Sequence, residues 1–227
     1  MEFIDQNLIT ILILLPVLGA ILTLAHQVVW KQESQLKWVT LGFTLLNFIV
    51  SLALFSKTAV AGPGGFFFEK NVPWIRAINT NYHVGVDGLS FWLVILTTFI
   101  MPIAVLSTWN AVEKRRTAFY VFMLLLESAM IGVFVSLDLL VFYLFFEASL
   151  VPMFFLIGIW GGENRIYAAV KFFIFTALGS LYQAVWLYCA FRRDSNNRLE
   201  IKQVNMLWGE GGHRRLNRMS VLTQQCI

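Results

Sequence analysis

The sequence predicts an all-α protein, a polytopic transmembrane helix bundle of about six spans. The chain is 58% hydrophobic and 13% charged, whereas soluble domains have about 25% charged residues. Its mean hydropathy is +0.71, and its 21 phenylalanines and 8 tryptophans suit lipid-facing helices with aromatic anchors at their ends. These observations exclude a soluble domain and place the chain in a lipid bilayer.

The first two apolar runs are predicted to span the membrane. Residues 8–30 are longer than the apolar part of a secretory signal, and the acidic Glu2 and Asp5 precede them where a signal carries positive charge. This run is therefore predicted to be a retained helix. The second span covers residues 36–55, and its Asn47 is predicted to hydrogen-bond to a neighbouring helix.

Residues 56–88 have a different composition. Gly, Pro and polar residues interrupt the chain in AGPGG, NVPW and NTNYH, which is too broken a pattern to cross lipid. We expect a loop outside the membrane, with a short hairpin within residues 66–86.

Three spans follow at residues 89–109, 117–135 and 138–160, and a sixth begins near Arg165. Only Ser136 and Leu137 separate the fourth span from the fifth, so these two helices are predicted to form an antiparallel pair. Asp138 then lies at the start of its helix, where a carboxyl oxygen caps free N–H groups and suits the helix dipole.

Glu147 lies within the fifth span, where an acidic side chain is costly. Insertion scales give about 2.5–3.5 kcal/mol for such a residue at a helix centre, so its presence indicates a functional site. Pro152 lacks the N–H that would bond to the Ala148 carbonyl, which leaves an acceptor beside the acid. Together the two residues predict ion or proton handling. The alternative is a neutral glutamate that hydrogen-bonds to a neighbouring helix.

Two further ionisable residues lie within predicted spans. Glu127 is near the middle of the fourth span, and two carboxyls at close range could not both be ionised. The alternative is a neutral Glu127 that bonds across the helix pair. Lys171 lies near the start of the sixth span, where it either reaches toward Glu147 or extends to the head groups as an anchor.

The charge distribution predicts orientation. Residues 192–227 carry seven basic and three acidic residues, which accounts for the whole net charge of +4. Short loops with basic residues follow the first, third and fifth spans, so the positive-inside rule places those ends in the cytoplasm and the N-terminus outside. The long loop after the second span carries Lys57, Lys70 and Arg76 and is expected outside, because longer loops are less restrained by this rule. The basic tail contradicts this rule. Cys189 and Cys226 form no CxxC motif, and neither a metal site nor a disulfide framework is expected.

Three segments carry a family resemblance: GVDGLSFWLVILTTFIMP at 85–102, LLLESAMIGVFVSLDLLVFYLFFEASLVPMFFLIGIWGG at 124–162 and RIYAAVKFFIFTALGSL at 165–181. They resemble subunit M of bacterial NADH:quinone oxidoreductase, respiratory complex I, which corresponds to mitochondrial chain 4. The resemblance extends along residues 1–181, the N-terminal part of a family that has fourteen transmembrane helices. The family is in turn similar to cation/proton antiporters.

The resemblance implies a membrane-arm subunit that couples electron transfer from NADH to quinone to proton translocation. It implies that Glu147 matches the key glutamate of the family's fifth helix, that Glu127 matches a fourth-helix acid and that Lys171 matches the lysine of an AAxKFF segment. It also implies a bacterial inner membrane location and, as partners, the other membrane-arm subunits and the lipid bilayer, with no nucleic acid. No cofactor is expected on this chain, because the flavin and iron–sulfur clusters belong to partner subunits.

The tail departs from the family pattern. Residues 1–191 are predicted to form the antiporter-like domain with its outer loop, and residues 192–227 to form a basic polar tail outside the family fold, as after a frameshift. The chain is thus expected to be a truncated member that does not pump alone. The alternatives are a natural half-length variant, a subunit of a cation/proton antiporter or membrane-bound hydrogenase, and a non-functional membrane fragment.

Overall fold

The computed structural model describes residues 2–30, 33–57, 66–75, 80–112 and 115–193, and these form six α-helices and one β-hairpin. All six helices are long and apolar enough to cross a membrane, which confirms the predicted fold class. In chain order the elements are α1 (Glu2–Trp30), α2 (Glu33–Leu52), β1 (Phe67–Ile75), β2 (Thr80–Val86), α3 (Gly88–Ser107), α4 (Arg116–Val135), α5 (Leu139–Trp160) and α6 (Arg165–Arg193).

The helix bounds differ from the predicted spans mainly at the first two helices. α1 begins at Glu2 rather than at residue 8, and α2 begins at Glu33 and ends at Leu52, where a 3₁₀ turn over Ala53–Lys57 continues the chain. Backbone hydrogen bonding extends past the apolar stretch into the head-group region, so hydropathy marks the lipid-buried part of a helix and not its ends. α6 continues through residue 191 to Arg193, and the tail from 194 onward lies outside the described residues.

α4 is the central helix of the bundle. It contacts α1, α2, α3 and α5, and 67% of its membrane span is buried, whereas α6 contacts α5 and is 11% buried. Small residues on α4 let neighbours approach closely. A methyl group added at Gly132 would overlap the ring of Phe145 on α5. The predicted antiparallel pair of α4 and α5 is therefore a close contact.

The hairpin covers one end of this pair, here called the hairpin end. β1 and β2 pair in antiparallel fashion, which confirms the predicted hairpin. The backbone N–H groups of Leu137 and Asp138 donate to the carbonyl of His83 on β2, at 2.9 and 3.3 Å. Asp138 Oδ1 accepts from the N–H groups of Leu140 at 2.8 Å and Val141 at 3.3 Å, which confirms the predicted cap and places Asp138 before α5 rather than in it.

The opposite end of the bundle is called the basic end, because Lys37, Arg116 and Arg165 lie there, at the starts of α2, α4 and α6. Lys37 Nζ donates to the Trp109 carbonyl at 2.5 Å, which joins the start of α2 to the end of α3. Trp38 contacts the Trp109 ring edge to face, with centroids 4.9 Å apart. An aromatic and basic cluster of this kind is typical of a membrane interface.

Candidate functional site

Glu127 is fully buried in the centre of the bundle, with 0% of its surface exposed. Asn47 on α2, which is equally buried, donates from Nδ2 to Glu127 Oε1 at 2.7 Å. The predicted helix-to-helix hydrogen bond of Asn47 is thus confirmed. Glu127 does bond across a helix pair, but its partner helix is α2 and not α5 as the sequence suggested.

Asn47 belongs to a polar face that runs along α2. Four of its polar side chains recur at helical spacing and are completely buried: Thr40, Thr44, Asn47 and Ser51. Ser51 continues the polar contacts toward α3, because its hydroxyl lies 2.8 Å from that of Thr98. We name these four residues the α2 polar face. Sequence reasoning singled out Asn47 alone, although the spacing of the other three was a signal for the whole face.

Glu147 occupies a different environment from Glu127. Its side chain is partly buried near the middle of α5. The Tyr143 hydroxyl, one turn earlier, lies close to Glu147 and also to Ser180 on α6. Glu147 is therefore linked through one tyrosine to the neighbouring helix. Tyr143 was not singled out from sequence, although its position four residues before the acid on one helical face was a usable signal.

The two acids are not brought together. Gly132 and Phe145 mark the contact between α4 and α5, and each acid lies well round its helix from that contact, by about 140° for Glu127 and about 200° for Glu147 at 3.6 residues per turn. Glu127 bonds to α2, and Glu147 is linked to α6. The expected competition between two neighbouring carboxyls does not arise in this arrangement.

Lys171 does not pair with Glu147 in the structure. Its side chain is exposed, and its ammonium group lies 5.7 Å from the centre of the Tyr167 ring, one turn closer to the basic end. The α6 residue Ala169 is buried and contacts the α5 residue Gly158, and Lys171 points about 200° round the helix from Ala169. This orientation fits the anchoring alternative that the sequence left open.

The surroundings of Glu127 and Glu147 suit the binding and release of protons. Two carboxyls are held in the apolar part of a helix bundle: Glu127 is hydrogen-bonded to an amide, and Glu147 lies close to a tyrosine hydroxyl. Such groups bind and release protons when their surroundings change. Within the described residues, no group of three or more His, Cys, Asp or Glu side chains is placed to hold a metal ion.

Two family models match the chain. Residues 8–133, more than half of its 227 residues, match NADH-ubiquinone oxidoreductase chain 4, amino terminus. Residues 136–222 match the transmembrane domain described as NADH:quinone oxidoreductase/Mrp antiporter. The second match includes residues of the basic tail.

Curated relatives agree with the family models. NADH-quinone oxidoreductase subunit M of Rhodobacter capsulatus is 46% identical over 182 residues, which cover 79% of this chain and 35% of that protein. NADH-ubiquinone oxidoreductase chain 4 of Mycosarcoma maydis is 39% identical over 178 residues, which cover 77% of this chain and 36% of that protein. The chain thus spans little more than a third of the length of these relatives.

Solved structures show the same helix arrangement. A chain of respiratory complex I from Thermus thermophilus with bound NADH superposes with a TM-score of 0.71 at 27% identity, over 86% of this chain and 38% of that chain. An archaeal membrane-bound sulfane sulfur reductase gives a TM-score of 0.72 over 95% of this chain and 32% of that chain, but at 14% identity this likeness shows the fold alone. By its sequence and by its fold, the chain belongs to the family of NADH-ubiquinone oxidoreductase chain 4, whose bacterial relatives are named subunit M.

Proposed function

We propose that the chain serves in the membrane arm of a NADH:quinone oxidoreductase and takes part in coupling electron transfer to proton translocation. Family membership carries this proposal, together with a carboxyl at position 147 within a membrane-spanning helix. An acid in that position costs several kcal/mol less when it is neutral, so its protonation responds to nearby charges. A change of charge in a neighbouring subunit would then load or unload the proton.

Glu147 is the proposed loading residue, with Tyr143 and Ser180 as the hydrogen-bonding groups that orient it. Glu127 is proposed as a second proton-binding residue. A role for Lys171 in translocation requires a partner beyond the described part of the chain, because its ammonium group contacts Tyr167 and not an acid. The charge-retaining Lys171→Arg variant tests this role: it should preserve anchoring and fail only if a titrating amine is needed.

The proposal includes partners and location. Other membrane-arm subunits would contact the chain, the flavin and iron–sulfur clusters would lie on further subunits, and the membrane would be the bacterial inner membrane with the N-terminus outside. The names of the relatives and the multi-subunit complex of Thermus thermophilus support this assignment. The basic end supports the orientation, since Lys37, Arg116 and Arg165 gather on one side of the bundle.

A second candidate is a subunit of a cation/proton antiporter. The match over residues 136–222 is described as common to the oxidoreductase and the Mrp antiporter, and an Mrp complex of Dietzia sp. shares the fold at 16% identity. The two candidates differ in their energy source. Proton movement should require NADH and quinone in the first and a sodium gradient in the second.

The test is deletion of the gene for this chain in its host, with complementation by the wild-type gene. Everted membrane vesicles receive NADH, and a pH-sensitive dye reports acidification of their interior. We expect deletion to abolish acidification driven by NADH and to leave acidification driven by ATP unchanged. Full NADH-driven acidification in the deletion strain, or acidification driven by a sodium gradient that disappears with the gene, would overturn the proposal.

A further inference from the structure

The pair formed by Glu127 and Asn47 leaves one oxygen of each side chain without a hydrogen-bond partner. One hydrogen bond joins Asn47 Nδ2 to Glu127 Oε1, but Glu127 Oε2 and Asn47 Oδ1 are both buried and have no hydrogen-bond partner. Both atoms are acceptors when the glutamate is ionised. Two buried acceptors without a donor are costly, at about 1–3 kcal/mol for each neutral group and more for a charge.

We propose that Glu127 holds a proton on Oε2 and donates it to Asn47 Oδ1, so that acid and amide form a reciprocal pair that stores a proton between α2 and α4. One added proton turns Oε2 from an unpartnered acceptor into a donor, and the unpartnered Oδ1 belongs to the same amide that already bonds to Oε1. The two hydrogen bonds would run in opposite directions around one ring. The pair also removes the charge from the most buried acid of the bundle.

The charges around Glu127 agree with a neutral acid. Among the described residues, Asn47 is the group that the structure bonds to Glu127, and no basic side chain forms an ion pair with it. The sequence of α3 contains no titratable residue. Among the residues whose side chains the structure describes, the other titratable groups on α4 and on the elements packed against it are these: His26 on α1, Lys37 on α2, Tyr82 and His83 on β2, Arg116 and Tyr120 on α4, and Tyr143 and Glu147 on α5.

Buried polar side chains lie on both sides of the Glu127–Asn47 pair. α2 and α4 both start at the basic end, and Thr40 and Tyr120 each lie seven residues before Asn47 and Glu127, which is about 10 Å along a helix. The hydroxyl groups of Thr40 and Tyr120 are buried and unpartnered. Toward the hairpin end, the Ser51 and Thr98 hydroxyls lie 2.8 Å apart and also bond to backbone carbonyls of their own helices.

Beyond Glu127 on the hairpin side, α4 buries apolar residues. Ile131 and Val135 are completely buried there, in one cluster with Leu12 and Leu54. On the basic side, α4 also buries the apolar Met123 and Leu124 between Tyr120 and Glu127. Apolar packing on both sides thus isolates the pair from water. In chemical terms, a hydronium ion gives its proton to Oε2, where an O–H bond forms and water is released. Release of the proton reverses the same step.

The role of the stored proton in transport rests on the proposed function. The presence of the proton on Glu127 is tested separately. The full chain is purified with the membrane assembly that it forms and placed in lipid nanodiscs at neutral pH. Infrared spectra are recorded for the wild type and for Glu127→Gln, an amide that keeps a donor and an acceptor at the same position. We expect the difference spectrum to show the carbonyl band of one protonated carboxyl group, which shifts in deuterium oxide.

Asn47→Leu supplies a second measurement. It removes the partner amide, so the same carbonyl band should remain and move to higher frequency as its hydrogen bonds are lost. The matched control is Glu147→Gln, which should leave the band in place. Carboxylate bands in the difference spectrum of Glu127→Gln, or a band unmoved by Asn47→Leu, would overturn the proposal. Loss of NADH-driven acidification on gene deletion would stand in either case, so the two proposals fail separately.

Discussion

Two carboxyls lie within the helices of this bundle, and their surroundings differ. Glu127 has 0% exposed surface and one amide donor from α2, whereas Glu147 is partly buried and linked by Tyr143 to α6. A fully buried acid changes its charge only if its neighbours move or supply a proton. A partly buried one responds to charges on adjacent helices. Glu147 is therefore the better placed of the two to respond to charges nearby.

Asp138 provides a pH-dependent prediction outside the spans. Burial raises the pKa of its carboxyl above the ordinary value of 3.8, against the opposing effect of the N–H groups of Leu140 and Val141 and of His83. The folded state then binds this proton more tightly than the unfolded state does. The contribution of Asp138 to stability is thus fully present below pH 3.8 and falls as the pH rises through the folded-state pKa. The midpoint of thermal unfolding in detergent, measured across pH, checks this.

Two variants separate the charge of Asp138 from its cap. Asp138→Asn keeps an oxygen that caps α5 and should remove the pH-dependent component. Asp138→Ala removes the cap as well and should cost about 1 kcal/mol in the free energy of unfolding. If Asp138→Asn follows the same pH dependence as the wild type, the carboxyl at 138 is not its source.

Residue-level prediction from sequence succeeded where the signal was local. The cap at Asp138 follows from its place before an apolar run, and the helix-to-helix bond of Asn47 follows from an amide in a membrane helix. The partner of Asn47 could not be predicted, because Glu127 is 80 residues away and the packing of α2 on α4 decides the contact. The orientation of Lys171 toward Tyr167 was left open for the same reason.

At the scale of elements, the contact between α4 and α5 depends on the missing side chain of Gly132. A methyl group there would overlap the Phe145 ring, so Gly132→Ala should destabilise the fold by about 1–3 kcal/mol. Thermal unfolding in detergent measures the effect. The matched control is Gly42→Ala on α2, where no atom lies within 4 Å of the added methyl group and little change is expected.

A double variant shows whether the ring is the cause. Phe145→Ala removes the clash, so Gly132→Ala should cost much less in that background than in the wild type. Additive losses in the two variants would mean that the destabilisation arises elsewhere.

Most elements were predictable because lipid imposes a simple rule. A span must be apolar over about 20 residues, and its backbone N–H and C=O groups must hydrogen-bond within the span. Each long apolar run is therefore predicted to be a helix. The rule says little about ends, and α1 begins at Glu2 while α2 is continued by a 3₁₀ turn. It also says nothing about which helix is central. The burial of α4 against four neighbours comes from packing that hydropathy does not encode.

α6 differs from the other elements in its surroundings. One side packs on α5 through Ala169 and Ser180, and the other side exposes large apolar residues in addition to Lys171. A lysine on an apolar surface is stabilised when its ammonium group reaches a polar interface. The contact with Tyr167 directs it toward the basic end, where such an interface is expected.

At the scale of the whole molecule, the two ends of the bundle predict its orientation. The hairpin end should face outward and the basic end the cytoplasm. The test uses a chain in which Cys189 and Cys226 are replaced by Ser. In cells whose outer membrane and wall have been removed but whose inner membrane is intact, a membrane-impermeant maleimide should label the Val72→Cys variant, because Val72 lies on the exposed hairpin. Glu163→Cys, in the exposed loop between α5 and α6, should be labelled only after permeabilisation. The reverse labelling pattern would contradict this orientation.

The most direct measurement for the account as a whole is proton translocation by the Glu147→Gln variant in everted vesicles. The ratio of NADH-driven proton uptake to NADH oxidation is compared with that of Glu163→Gln, which removes an exposed carboxyl of the loop before α6. We predict a loss of about tenfold or more in this ratio for Glu147→Gln, because the amide cannot bind and release the proton, and no change for Glu163→Gln. An unchanged ratio in Glu147→Gln would contradict the claim that the carboxyl at 147 loads and unloads a proton.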